Sequence, residues 1–278
     1  MRFKSLILAS LLAASFVSAA HAQQGVSLAT GFTDFTQWTL LGSATAQNQT
    51  PGNGFTYSQL DLTTSGTGGQ AGAGFAPVAL TMDFNQAFSF DFHFWIPPSG
   101  GLRGDGMTFV MSSAAGLGTG GSGLGYEGLP ASSVAFAIDT FHFDGDPVSP
   151  SLQILQGGSV TPLAAFETGL GDTIRDPDFQ WYASVNYTPS GFDNQSGMFT
   201  GRIDHLNLGS FEVSATVDFS GLAGAPVFYG FTAGNGLATD GHMVTSAVPV
   251  PEPETYAMML AGLGLLGFVA RRKKQKSA

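Results

Sequence analysis

The chain has 278 residues, 39 of them glycine and 24 phenylalanine, with no cysteine and a formal net charge of −10. Lacking cysteine, it has no disulfide, no thiolate chemistry and no cysteine-bound zinc. Only Arg103, Arg175 and Arg202 carry positive charge between residues 23 and 249, against eighteen acids; this excludes nucleic acid, whose phosphates demand clustered Lys and Arg.

The first 22 residues read as a secretory signal. Arg2 and Lys4 precede an apolar run from Leu6 to about Val17, and Ala20-His21-Ala22 supplies a small-residue cleavage site. The mature domain expected to follow spans 23–249, long enough to bury a core that needs no covalent staples.

Within it, short apolar or alternating runs recur between Gly, Pro, Asn and Asp clusters, the pattern of an all-β domain. The expected strands are 55–63, 87–96, 106–112, 133–141, 152–156, 181–188, 198–206, 210–219, 227–234 and 242–248. In "AFSFDFHFWI" (87–96), Phe88, Phe90, Phe92 and Phe94 alternate with Ser89, Asp91, His93 and Trp95, so one face is a phenylalanine stripe. His93 is expected to be solvated on the other face, and His205 and His242 to be packing or surface residues. About ten strands with no convincing helix give a two-sheet antiparallel β-sandwich or jelly roll.

Several stretches invite chemistry. "GLGTGGSGLGYEG" (116–128) is glycine-rich but has no lysine and no strand–helix context, so it is not expected to cradle phosphate. "SVAFAIDTFHFDGDPVSPS" (133–151) is an apolar strand that runs into Asp139, Asp144 and Asp146. "GDTIRDPDF" (171–179) gathers three aspartates round Arg175 and reads as a solvated turn, a second cation site being the minor alternative. "NQT" (48–50), "NYT" (186–188) and "NQS" (194–196) match glycosylation acceptors, but are expected to be unused.

The C-terminal stretch 250–278 has its own organisation. Pro251-Glu252-Pro253 precedes an uncharged run, Tyr256–Ala270, and then Arg271, Arg272, Lys273, Lys274 and Lys276. The apolar run is shorter than the roughly 20 residues of a stable span, and its basic flank should stay cytoplasmic. The order closely resembles the PEP-CTERM sorting signal of Gram-negative bacteria. That resemblance implies export, transient anchoring in the inner membrane, processing by an exosortase-type protease, and a final place at the cell surface or in the exopolysaccharide matrix.

Other motifs carry a second resemblance. They are "GFTDFTQWTLLGSA" (31–44), "RGDGMTFVM" (103–111), "GLGYEGLP" (123–130), "SVAFAIDTFHF" (133–143), "DPVSPSLQI" (146–154), "GFTAGNG" (230–236) and "HMVTSAV" (242–248). In this order and spacing they resemble the L-type lectin domain, of legume-lectin-like, concanavalin A-like fold. The resemblance implies carbohydrate binding, with polysaccharide or glycan as the partner and no catalysis. It implies that Asp105, after a cis peptide from Gly104, accepts sugar hydroxyls and that the backbone N–H of Gly125 points at the ligand. It further implies that the ring of Phe141 stacks on the sugar, and that Leu237 and Ala238 form the neighbouring loop.

The same resemblance implies calcium held by Asp139, the carbonyl of Phe141, Asp144 and Asp146, an oxygen set that suits a hard cation. Three positions depart from the pattern. Ala137 and Ser151 replace a glutamate and a histidine of the transition-metal site, which is therefore expected to be lost. Phe143 replaces an asparagine that serves both calcium and sugar, and Asp144 is its expected substitute. Laminarinase-type hydrolases share the sandwich but carry glutamates on alternate positions of one strand. Here those positions are Ala137 and Phe141, so hydrolysis is not expected. A structural matrix protein that kept the scaffold and lost sugar binding is the alternative to a lectin.

Overall fold

The computed structural model describes residues 24–28, 33–50, 57–143, 145–175, 181–191 and 195–247. The expected signal peptide and the apolar run at 256–270 lie outside these residues.

Two sheets of eight strands face one another. The first runs β14 (Gly209–Asp218), β13 (Ser196–His205), β12 (Trp181–Pro189), β7 (Phe88–Trp95), β16 (His242–Ala247), β4 (Tyr57–Thr63) and β3 (Thr45–Gln49). β1 (Gln24–Ser27) lies parallel to the first half of β7, on the edge that β16 takes up from His93 onward. The second runs β11 (Ala164–Glu167), β10 (Ser151–Gln156), β9 (Val134–Asp139), β8 (Gly106–Ser112), β15 (Pro226–Gly234), β5 (Ala71–Phe75) and β2 (Thr39–Gly42), with β6 (Leu80–Thr81) on the start of β15. Apart from β1 on β7, every pairing is antiparallel.

The phenylalanine stripe explains why the sheets close. Phe88, Phe90, Phe92 and Phe94 are all buried while the residues between them are half-buried. Phe90 meets Phe109 of β8 at 4.9 Å, and Phe92 meets Phe231 of β15 edge-on at 4.8 Å. Rings of opposite sheets thus interdigitate in favourable tilted and edge-to-face arrangements. Glycine makes room for a further ring. A Cβ on Gly201 of β13 would enter the ring of Phe136, so that ring lies flat on the strand backbone.

β8 and β9 are buried on both faces, which a two-layer sandwich alone does not explain. The cover is the glycine-rich segment after β8. It crosses the outer face of the second sheet, where Leu124, Tyr126 and Leu129 pack on Ala73, Phe75, Val110, Ala135 and Ala137. The segment is a lid for a second core, and the absence of a lysine in it is in keeping with that task.

All ten expected strands are present, with ends shifted by one or two residues. The motif at 31–44 contains a short 3-10 turn, Phe35–Gln37, followed by β2. Asp34 starts that turn by accepting the Thr36 N–H at 3.0 Å. His205 packs on Trp181 at 4.6 Å and His242 is fully buried, so both are packing residues. His93 is half-buried beside Tyr182 rather than solvated.

Register places one set of loops together. Gly106 pairs with both Asp139 and Gly234, and Ser151 with Asp139. The ends of β9 and β15 and the starts of β8 and β10 therefore share one end of the sandwich, as do the end of β7 and the start of β16. At the opposite end, Trp38, Pro77, Val78, Leu80 and Tyr229 line a cleft of about 410 Å³.

Candidate carbohydrate and cation site

The site is built round Asp105 at the start of β8. The Gly104–Asp105 peptide is cis, as expected. Gly104 has φ +140, and a Cβ there would lie 2.5 Å from the Phe141 Cβ and 3.1 Å from that of Ala238. The missing side chain lets Asp105, Phe141 and Ala238 meet, three of the residues picked from sequence. The Asp105 carbonyl accepts the backbone N–H groups of Thr140 at 2.8 Å and Phe141 at 3.2 Å, so the strand end holds the aspartate backbone in place.

Its carboxylate is left with a free acceptor. Oδ2 is buried and has no hydrogen-bond partner among the described residues. Burial pushes the carboxyl up to about 6, opposed by the Gly236 backbone amide and reinforced by the charge of Asp240. Buried acceptors are nearly always satisfied, so this orphan calls for a hydrogen from a water or from a ligand.

Glycine backbones wall this oxygen. A Cβ on Gly236 would lie 3.2 Å from it and one on Gly121 3.9 Å. The expected role of Gly125 is corrected here. Its N–H donates to the Thr119 carbonyl at 2.7 Å, and a Cβ there would press on the Ala233 carbonyl at 2.8 Å. Gly125 is a packing glycine at φ +65, while Gly121, four residues earlier, lies beside the carboxylate. Leu237 is 94% exposed and stands at the rim, whereas Ala238 is buried beneath it.

The cation half of the site centres on Asp139, the last residue of β9. Its Oδ1 accepts the Phe141 N–H at 3.0 Å and the Ser149 hydroxyl at 3.3 Å. Oδ2 accepts from the Gln153 amide at 2.9 Å, and that amide also reaches Ser151 at 3.0 Å. Burial pushes the Asp139 carboxyl up to about 7; the Phe141 N–H opposes this and the nearby charge of Asp146 adds to it. Asp144 lies outside the described residues. Among the described residues no three His, Cys, Asp or Glu side chains converge as a metal-binding group.

Calcium is the metal expected here, and the transition-metal site is expected to be lost. Asp139, Asp146 and the Phe141 carbonyl offer oxygen only, the ligand type a hard cation takes, and both Asp139 oxygens already accept protein donors. A transition metal does not fit. Ala137 and Ser151 are fully buried, and Gln153, paired with Ala137 across the β9–β10 ladder, turns an amide donor onto the carboxylate oxygen.

Sequence reading missed how the loops are held. Asp240 is fully buried and accepts from Gly104 N–H at 3.1 Å and Ser99 N–H at 3.3 Å, and pairs with Arg175 at 3.2 Å. Arg175 reaches Asp172 at 3.1 Å, Asp172 reaches Arg103 at 2.8 Å, and Arg103 donates to the carbonyls of Thr140 and Ser149. The turn at 171–175 is thus an ion-paired clamp that is still solvated at Asp172, whose side chain is 74% exposed; residues 176–179 of that stretch lie outside the described residues. The clue was available: two of only three arginines in the domain flank the loops.

With this geometry established, comparison with known proteins gives two findings. The PEP-CTERM protein-sorting motif matches residues 249–274. Solved structures of similar fold include basic winged bean lectin with Tn-antigen, at 22% identity and TM-score 0.58, covering 78% of this chain and 95% of that one. The lectin from Bauhinia forficata in complex with GalNAc gives 18% and 0.60, over 80% and 96%. The exoplasmic/lumenal domain of VIP36, in its Ca2+/Man3GlcNAc-bound form, gives 16% and 0.54, over 77% and 84%. No curated protein sequence matches the chain. The described domain therefore has the legume-lectin type of β-sandwich, and a PEP-CTERM sorting motif follows it in the chain.

Proposed function

We propose that the protein is an exported, non-enzymatic carbohydrate-binding protein, calcium-assisted, that engages a polysaccharide at the cell surface or in the exopolysaccharide matrix. The observation that carries this reading is the buried, unpartnered Oδ2 of Asp105, walled by Gly121 and Gly236. An ionised carboxylate there accepts sugar hydroxyls in strong charge-assisted hydrogen bonds. Phe141, half-buried beside it, offers a ring to an apolar sugar face, and Leu237 adds an apolar rim. Calcium would be held by Asp139, Asp146 and the Phe141 carbonyl, and would stiffen the loop that carries the ring. The sorting motif supports export and processing by an exosortase-type protease.

Glycan-array binding and polysaccharide pull-down, in millimolar calcium and again with chelator, test the reading. Binding that Asp105→Asn abolishes is expected; no binding to any glycan in calcium would sink the proposal. One observation favours a second reading, a matrix scaffold without sugar recognition. Both oxygens of Asp139 already have protein donors, so this corner holds together without a cation. On that reading Asp105→Ala leaves matrix association unchanged.

A further inference from the structure

We infer that, while the C-terminal segment is in the membrane, the sandwich stands with its Asp105 loops pointing away from the bilayer and its Trp38–Val78 end facing it. This rests on strand direction and the sorting motif; the proposed sugar site enters only as the thing presented.

β16 connects the two ends directly. It begins at His242, two residues after Asp240 of the site, and pairs with Thr63 at that end. It finishes at Ala247, opposite Tyr57, five residues later. At about 3.3 Å per residue the chain leaves the fold roughly 17 Å from where it left the site. The exit is anchored. The Ser246 hydroxyl accepts the Thr33 N–H at 2.9 Å and donates to the Thr33 carbonyl at 2.5 Å, and Thr33 lines the cleft at that end. The sorting motif starts at residue 249, two residues beyond Ala247.

The sequence that follows limits how far the domain can turn. Only residues 248–255 separate Ala247 from the uncharged run at Tyr256, and 249, 251 and 253 are proline. Proline-rich spacers are semi-rigid and extended. So short a connection, on the end opposite the loops, leaves those loops outermost. It lets the protein grip external polymer before the tail is cut.

The test uses the full chain with its C-terminal segment, reconstituted in vesicles without the processing protease. The chain has no cysteine, so single-cysteine variants give single dyes. Val78→Cys places one at the exit end, where Val78 is 71% exposed, and Leu206→Cys places one at the loop end, where Leu206 is 85% exposed and outside the site. With an energy acceptor on the lipid headgroups, transfer from the Val78 dye is expected to exceed that from the Leu206 dye several-fold. Equal transfer, as from a domain lying on its side or tumbling, overturns the inference, and so does the reverse order. No glycan is present, so this result stands or falls separately from sugar binding.

Discussion

The buried carboxylate of Asp240 accepts the N–H of Gly104 at 3.1 Å, so the loop after β15 holds the residue on which the placement of Asp105 depends. Arg175 supports that carboxylate from the other side, with only a tenth of its own side chain exposed. Asp240→Ala takes from the mostly buried Arg175 one of its two carboxylate partners, Asp172 remaining, and leaves two backbone donors unsatisfied. The expected cost is about 1–3 kcal/mol, read as a lowered urea midpoint. Asp240→Asn, which keeps an acceptor for those donors, should lose less.

Asp105→Asn should abolish glycan binding without lowering stability. The folded carboxyl is raised to about 6 from an ordinary 3.8, so it favours the folded state below pH 4 and that contribution is lost as pH rises through 6. The amide removes this decline, and urea titrations at pH 4 and pH 8 should show it. Wild-type binding should rise through about pH 6 as the carboxylate ionises.

His242 acts in the opposite direction. Burial depresses its imidazole to about 3 from 6.5, so it is neutral in the fold and takes a proton on unfolding below pH 6.5. Its contribution is present above that value and is lost as pH falls toward 3. His242→Asn, which can still bond the Thr63 hydroxyl now 2.7 Å from Nδ1, should flatten the acid limb of a stability profile measured by urea titration.

Gly201→Ala should destabilise the fold by about 1–3 kcal/mol through overpacking against Phe136. Thermal denaturation reads the loss, and Phe136→Leu in the same chain should restore part of it.

Restoring Ala137→Glu and Ser151→His should not be enough to bind a transition metal, because the Gln153 amide still caps Asp139 Oδ2. Adding Gln153→Gly opens that oxygen. Titration with manganese followed by electron paramagnetic resonance is expected to show binding only in the triple variant.

Strands with an apolar rhythm were legible in sequence; those built for close approach were not. β7 announces itself through alternating phenylalanine. β5, "AGAGF", has almost no hydrophobic signal, because Gly74 makes room for the Leu60 side chain, 2.8 Å from where a Cβ would stand. β3, "TAQNQ", is a polar edge strand and reads as loop. At the site, Asp105, Phe141 and Ala238 could be placed because short motifs carry them. Gly121 could not be told from its glycine neighbours, since only the turn geometry decides which of them lies beside the carboxylate. The clamp through Arg103, Asp172, Arg175 and Asp240 joins positions up to 137 apart in the chain, which local pattern does not encode.

β16 has a mechanical consequence. A domain tethered beyond Ala247 and gripped at the loops before His242 is pulled along the axis of this one strand. Hydrogen bonds of an antiparallel ladder lie across the strands, so those to β4 and β7 are loaded together in shear and cannot open one after another like a zip. Detachment under drag should then begin at the polymer contact or in the segment beyond Ala247, with the sandwich still folded.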